Sequence, residues 1–541
     1  MRARLPPPLI GAVLVCSALW AGVLGLQHLS GTSSVLDRVE AVLVDLRYLL
    51  VGPLPAPASV IIVAIDDATV DAAGSFPIDR RLLASIVERI TASGARALAV
   101  DLLLLDTTDA GSDEELATAL ESIPTVIAAA AQFQSDDGRA ALIPHAATIV
   151  GPREAFAARA DVGLANVATD PGGTPRHLPL VYETAEGLVP SFTLRAVGLF
   201  DGAMPSLGRA GLRRDDGLQP LDLGWHLPLR YYGPDGSIET ISAQRLLDEP
   251  AAGGRMKGRL VLLGATATGI GDRFATPFDP ILSGAEVQAT GLANLIEQTA
   301  LVRDPTIRQI DAVAAIALAV LGAASALLLS PAWGGPLCLF ALASWIFLAT
   351  IAFGQGYWLS LALPIATTLP SFGVAILVRQ VLLGRATRQL TAAGAELARF
   401  QSPLLKTRIA SDPSFLQVPV RLDAAILFVD LSGFTGLSER VGPADTQVAL
   451  SQLHSLIVEV VSDHGGLVLN FMGDGAMVGF GLLDPVPETP ARAVRTAFGL
   501  IASIRDWIAQ SPADLDGLDV QVGLHLGPVM LSRLGHESQQ Q

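Results

Sequence analysis

Two aspartates stand where they could hold a metal ion. Asp430 closes a short apolar run, Ala424-Ala-Ile-Leu-Phe-Val429, and leads into Leu431-Ser-Gly-Phe-Thr435. Asp474 sits in Asn470-Phe-Met-Gly-Asp-Gly475, 44 residues further on. Paired carboxylates with a backbone carbonyl are the oxygen donors that hard divalent cations prefer. Two such ions bridged by carboxylates lower the pKa of a hydroxyl nucleophile and clamp phosphate oxygens. Backbone N–H groups at Gly433, Phe434 and Thr435, just before a helical pattern, can cradle phosphates. Each motif alone reads equally well as scaffold. Asp430 can cap the following helix, and Asp474 can simply make a Gly-Asp-Gly turn. The two together, in this order and spacing, favour a site.

The elements around them must bring the two carboxylates to one edge. Residues 424–429 read as a buried strand by composition. Val448, Leu453, Leu456, Ile457 and Val460 trace one face of a helix. Gly466–Met472 and Ala476–Gly481 read as the two arms of a hairpin about the Gly-Asp-Gly turn. Ala491–Ile508 reads as a helix and Val520–Leu526 as a further strand. If the first strand lies beside the hairpin, Asp430 and Asp474 meet.

The whole chain has 541 residues, half of them hydrophobic and only 16% charged. A soluble domain carries about 25% charged residues. The mean hydropathy is +0.47, which places part of the chain in lipid. A net charge of −16 argues against a nucleic-acid surface. The two cysteines, Cys16 and Cys338, lie in apolar runs, so no disulfide staples the soluble parts. Of 36 basic residues only Lys257 and Lys406 are lysines.

No Asp, Glu, Lys or Arg occurs from 312 to 378. Turn-like breaks at 330–336 and 354–356 divide this stretch into spans of about 310–329, 337–353 and 358–382, each near the roughly 20 residues a membrane helix needs. Leu9–Leu26 supplies a fourth, read as an uncleaved anchor rather than a signal peptide. Arg2 and Arg4 precede the first span, and Arg379, Arg385 and Arg388 follow the last. The basic flanks put both ends in the cytoplasm and residues 30–305 outside.

The outer region reads as α/β. Val60–Ile65 is a β-branched run ending at Asp66-Asp67, Leu82–Ala92 has helical spacing, Ala97–Val100 ends at Asp101, and Arg259–Gly264 is another strand-to-turn junction. Acidic residues at strand ends cap helices or face ligand crevices. No hydrolase motif and no cysteine is present there. His145, His177 and His226 read as isolated, so a binding module fits better than an enzyme.

Several phrases carry a resemblance: Asp45-Leu46-Arg47-Tyr48, Ile65-Asp66-Asp67-Ala68-Thr69, Phe76-Pro77-Ile78-Asp79-Arg80, Tyr231-Tyr232-Gly233-Pro234 and Gly271–Phe278. With one span before and three after, residues 30–300 resemble the second type of CHASE sensor domain of bacteria. Residues Phe428–Thr435, Asn470–Gly475 and Val522–Pro528 resemble the class III nucleotide cyclase catalytic domain. That resemblance implies Asp430, Asp474 and the Leu431 carbonyl as ligands of two Mg²⁺ or Mn²⁺ ions, with phosphates at Gly433, Phe434 and Thr435. It also implies attack of a ribose 3′-hydroxyl on the α-phosphate of ATP or, second, GTP, in a head-to-tail homodimer. A purine-selecting lysine commonly stands where this chain has Asn470. An amide donates and accepts, so Asn470 suits either base.

The expected whole is a multi-domain membrane protein of the bacterial inner membrane. Its parts are an N-terminal tip and span (1–29), an α/β extracellular sensor (30–305), three further spans (306–383), a signalling helix (384–421) and an α+β, ferredoxin-like cyclase domain (422–541). The spans form a four-span helical membrane region in contact with lipid. Leu390, Leu397 and Phe400 in the signalling helix suit either a short coiled-coil seam or a lone amphipathic helix. The expected partners are a second copy, the nucleotide and an unidentified outer ligand. The match thins out at Leu531–Glu537, before the segment in which the family carries the Asn and Arg that stabilise the transition state. Catalytic residues of that kind are therefore unassigned, an open sheet edge is expected, and the sequence reads as a piece of a full cyclase. The competing reading is a silent sensor or scaffold that binds nucleotide or a partner without turnover. A diguanylate cyclase would want a Gly-Gly-acidic-acidic-Phe phrase, which is absent.

Overall fold

The computed structural model describes residues 6–133, 142–397, 419–483, 486–511, 515, 517–532, 535–536 and 539–540. The chain divides into two compact units, Met1–Leu383 and Gly384–Gln541.

Among the described residues four helices are long and apolar enough to cross a membrane: Pro7–Ser30, Pro305–Leu328, Pro331–Gly354 and Ala362–Arg385. Two boundaries differ from the sequence reading. The break at 330–336 is only a junction: Leu329 ends one helix and Pro331 starts the next, with Ser330 in the N-cap position. Proline at the first helical position gives up a donor that would be unpaired anyway, so it opens this helix instead of interrupting it. The last span begins at Ala362 rather than 358, because Tyr357–Leu361 is held outside the helix. There Glu40 accepts from the Ser360 hydroxyl and from the amides of Leu361 and Ala362. A carboxylate on those N-terminal amides also suits the helix dipole. The last span continues as helix to Leu397. Leu390 and Leu397 lie on that continuation, and Phe400 lies outside the described residues.

Between the first and second spans lies a doubly wound α/β domain. Its seven-stranded sheet runs, edge to edge, Thr240–Ser242, Val60–Ile65, Leu260–Ala265, Ala97–Asp101 and Thr125–Phe133, and the last of these pairs both Asp161–Leu164 and Ala146–Val150. All pairings are parallel except that with Ala146–Val150. The apolar strands are buried on both faces, as a parallel sheet requires. Ile61, Val63, Ile65, Leu98, Val100 and Ile127 pack with the helices Arg80–Ala92 and Ala110–Glu121. Val60, Ile62, Ala64, Ala97, Ala99 and Val126 face the helices Phe192–Asp201 and Gly284–Ile296. The expected strands and the Leu82–Ala92 helix lie within these elements, except that the last strand starts at Leu260 rather than Arg259. A helix absent from the sequence reading, Val35–Val51, buries Glu40, Val44, Arg47 and Tyr48. Its opposite stripe, with Val35, Val42 and Leu46, is exposed.

The second unit has the order strand, helix, hairpin, helix, strand. Its antiparallel sheet runs Leu467–Met472, Gly475–Phe480, Val420–Ser432, Asp519–Leu531. With the crossing helices Phe434–Asp463 and Thr489–Gln510 this is the ferredoxin-like βαββαβ arrangement. The first helix breaks at Gly442-Pro443, where Gly442 takes φ +84°. Ala425, Leu427, Val429 and Leu431 alternate onto the helix side and meet Leu453, Ile457, Val461, Leu500 and Ile504. Val448, expected on the helix's inner face, is 56% exposed, because the buried row runs Ala449, Leu453, Ile457 and Val461 at spacings of four and Val448 stands one residue, about 100°, off it.

Candidate functional site

The register of the central strands decides the site. Val429 lies opposite Ala476, so Asp430 comes level with the Gly473–Gly475 turn. A Cβ on Gly475 would stand 2.8 Å from Asp430 Oδ1 and 2.8 Å from the Val429 carbonyl. Only glycine allows so close an approach, and it places Asp474 beside Asp430. Burial, and then the charge of Asp430, raise the Asp474 carboxyl above its ordinary range. Two carboxylates that repel each other on an accessible edge form a donor set that a divalent cation would relieve. Leu431 is 3% exposed, its side chain in the core, so it can offer only its backbone carbonyl to a metal. The residues present therefore fit a divalent ion. Among the described residues no cluster of three or more His, Cys, Asp or Glu side chains that could hold a metal gathers anywhere, so the side-chain ligands here are the two carboxylates alone.

Gly433 takes φ +87° and ends the strand; Phe434 begins the helix. A Cβ on Gly433 would lie 2.6 Å from the Gly517 carbonyl, so this turn too is closed to larger residues. The amides of Phe434 and Thr435 are in the first turn, where helix N–H groups have no partner within the helix. Asp430 does not cap this helix; Gly433 occupies the cap position. Asn470 lies on the outer hairpin strand opposite Met477, next to a bulge, and Met477 lies opposite Phe428. Asn470, Phe428 and Asp430 thus share the face of the sheet away from the helices.

One residue was missed by sequence reasoning. His454, from the first helix, hydrogen-bonds through Nε2 to the Gly473 carbonyl at 2.9 Å and stacks on Phe471 at 4.1 Å. It braces the turn that carries Asp474. Its position one turn from the apolar stripe was the only signal.

In the first unit the acidic strand ends divide. Asp66 accepts from the Thr69 amide at 2.9 Å and caps a helix. Asp67 accepts from the amide and hydroxyl of Thr268. Asp101 does neither: it lines a crevice of about 380 Å³ at the carboxyl ends of the parallel strands. Burial, and then Asp272, push its carboxyl up to about 6. The histidines correct the sequence reading. His145 is a surface residue 4.0 Å from Glu183. His177 and His226 are not isolated: their rings lie 6.4 Å apart, and His177 Nε2 is 3.1 Å from Asp222.

Comparison with known proteins follows the same division. Residues 14–329 match the family described as the CHASE2 domain. Residues 418–541 match the adenylate and guanylate cyclase catalytic domain. An adenylate cyclase of Mycobacterium tuberculosis is 28% identical over 180 residues, which cover 32% of this chain and 40% of that protein. Adenylate cyclase 2 of Rhizobium meliloti is 26% identical over 118 residues, or 22% of this chain and 32% of that protein. The chain thus spans less than half the length of these curated relatives. Among solved structures, a bacterial light-regulated adenylyl cyclase matches 29% of this chain and 46% of its own at 22% identity and TM-score 0.27.

Proposed function

Since the chain belongs to the CHASE2 domain family and carries a class III nucleotide cyclase domain, we propose that it is a membrane-bound sensor cyclase. In this reading it converts ATP, in preference to GTP, to the 3′,5′-cyclic nucleotide and pyrophosphate. The preference for ATP follows the names of the matched relatives. Four apolar helices make it a membrane protein. The basic residues beside the first and last spans support cytoplasmic termini and an outward-facing α/β domain. On this reading the chain runs as an N-terminal tip and span (1–29), an outer sensor (30–305), three spans (306–383), a signalling helix (384–421) and a cyclase domain (422–541).

The observation that carries the reading is the close approach of Gly475 to Asp430. Asp430, Asp474 and the Leu431 carbonyl would hold Mg²⁺ or Mn²⁺, two ions to a site. When bound, the ions supply Lewis-acid stabilisation of phosphate charge and a lower pKa for the attacking hydroxyl. The chain's own groups position the substrate. The amides at Gly433, Phe434 and Thr435 hold phosphate oxygens, and Asn470 hydrogen-bonds the base edge. The 3′-oxygen then forms a bond to the α-phosphorus as the bond to the β-phosphate oxygen breaks. The hydroxyl proton leaves to solvent and pyrophosphate departs.

The test is turnover by the full-length gene product, purified in detergent micelles, with ATP or GTP and Mg²⁺ or Mn²⁺. Cyclic nucleotide should form only with metal, and Asp430→Ala should lower the rate by about a hundredfold or more. Nucleotide binding with no product under any of these conditions would overturn the cyclase reading in favour of a silent sensor or scaffold. Activity that survives Asp430→Ala would overturn the metal assignment.

A further inference from the structure

A second cavity of about 380 Å³ lies where the α/β domain meets the membrane helices. Its walls come from the end of the first span, the Val35–Val51 helix, the loop before His177, the Asp222–His226 turn, and the segments that lead into the second and fourth spans. Charged side chains crowd it, and nearly all are paired. Asp222 receives Arg308 through two hydrogen bonds of 2.8 and 2.9 Å, and His177 at 3.1 Å. Glu40 receives Arg47, the Trp358 indole N–H and the Ser360 and Ala362 groups already described. Asp170 is bonded by Arg176 Nε at 2.6 Å. Asp37 caps its own helix through Ser34.

Arg303 is the exception. It is 6% exposed, yet among the described residues its guanidinium donates no hydrogen bond, and its Nε is buried without a partner. The nearest carboxylate oxygen, on Asp222, is 4.0 Å away and already engaged by Arg308 and His177. The guanidinium lies 4.2 Å above the Trp358 ring. His177 stacks on the same indole at 5.3 Å. Burial holds His177 and His226 below their ordinary range, so neither adds a firm positive charge. Asp222, Glu40 and Asp311 offset part of its charge from a distance, but the buried Nε stays unpaired and the Nη groups donate to none of the described residues, so a charge-assisted bond to an oxyanion is the strongest available remedy. Leu36, Leu142 and Leu363 supply apolar wall beside it. The volume lies at the low end of ordinary small-molecule sites, about 300–1,000 Å³.

We propose that this cavity binds a small organic oxyanion, a carboxylate or phosphate head on an apolar body, anchored by Arg303 above Trp358. The anion comes either free from solution or as the headgroup of a membrane lipid. Because the walls include the ends of three spans, occupancy reaches the membrane helices directly. That signalling role rests on the sensor reading, but binding itself is read without nucleotide turnover, so the two fail separately.

The test uses the full chain in phosphatidylcholine nanodiscs, titrated calorimetrically with benzoate and, separately, inorganic phosphate. The melting temperature is also compared between phosphatidylcholine and phosphatidylglycerol discs without either probe. The expected result is saturable binding of at least one probe, weakened tenfold or more by Arg303→Gln, weakened less by Arg303→Lys, and unchanged by Arg245→Gln on the exposed surface. A melting temperature raised by phosphatidylglycerol, and not in Arg303→Gln, assigns the oxyanion to lipid and equally supports the site. If Arg303→Gln does not fold, phenylglyoxal labelling of the wild-type chain decides. Benzoate, phosphate or phosphatidylglycerol must then slow modification of Arg303 and not of Arg245. No saturable binding with equal melting in both discs, binding indifferent to Arg303→Gln, or labelling of Arg303 slowed by none of them would overturn the proposal.

Discussion

Gly475 carries more of the site than its missing side chain suggests. Its approach to Asp430 leaves no room for a Cβ, because backbone as well as carboxylate stands 2.8 Å away. Gly475→Ala should therefore cost about 1–3 kcal/mol by overpacking. It should also raise the Mg²⁺ concentration for half-maximal turnover, since the displaced group is the proposed ligand. Melting and a metal titration on the same sample measure both effects. Asp101 allows a pH prediction of definite sign. Its carboxyl titrates at about 6 in the folded domain against an ordinary 3.8, so the folded state binds the proton more tightly than the unfolded state. Its contribution to stability is full below the ordinary value and is lost as pH rises through about 6. The melting temperature of the wild-type chain should fall relative to that of Asp101→Asn between about pH 4 and 7. Parallel curves would show that burial at Asp101 does not act in this way.

Elements were legible in the sequence where one physical signal dominated. Val60–Ile65 and residues 424–429 are β-branched or apolar runs too short for helices, and both are strands. The Gly-Asp-Gly turn was legible because few other sequences close so tight a hairpin. Pro331 misled at 330–336, since the same residue that breaks a helix interior favours its first turn, and Pro336 is carried inside the helix all the same. The Asp222, His177, Arg308 and Arg303 group was not legible at all. Its members lie on separate segments as much as 131 residues apart, and only the tertiary fold joins them. The same holds for His454, which reaches the hairpin from a neighbouring helix. Its hydrogen bond to Gly473 ties helix to turn. His454→Phe keeps an aromatic ring to stack on Phe471 and removes that bond, worth about 0.5–1.5 kcal/mol. Turnover at limiting metal should drop by a few-fold up to about tenfold, while saturating metal should restore most of it. A loss that metal cannot restore would place His454 outside the positioning of Asp474.

At the scale of the whole molecule, the arrangement of the face that bears Asp430 argues for a second copy. Helices cover one side of the four-stranded sheet, and on the other Phe428 and Met472 are 46% and 47% exposed. Asn470 lies on that same face, in the row through Met477 and Phe428, rather than at the edge where Asp430 meets Asp474. If two chains pair head to tail, the metal carboxylates of one chain and Asn470 of the other complete each of two equivalent sites. Alone, a chain with Asp430→Ala should lose about a hundredfold or more of the turnover and a chain with Asn470→Ala about tenfold or more. Mixed in equal amounts before assembly, half of the dimers join unlike chains. In each such dimer one site loses both groups, while the other keeps Asp430 from one chain and Asn470 from its partner. Activity should then recover to roughly a quarter of the wild-type value, as random pairing of a twofold dimer requires. A mixture no more active than its components would mean that the carboxylates and Asn470 act within one chain, and the shared-site dimer would have to be abandoned.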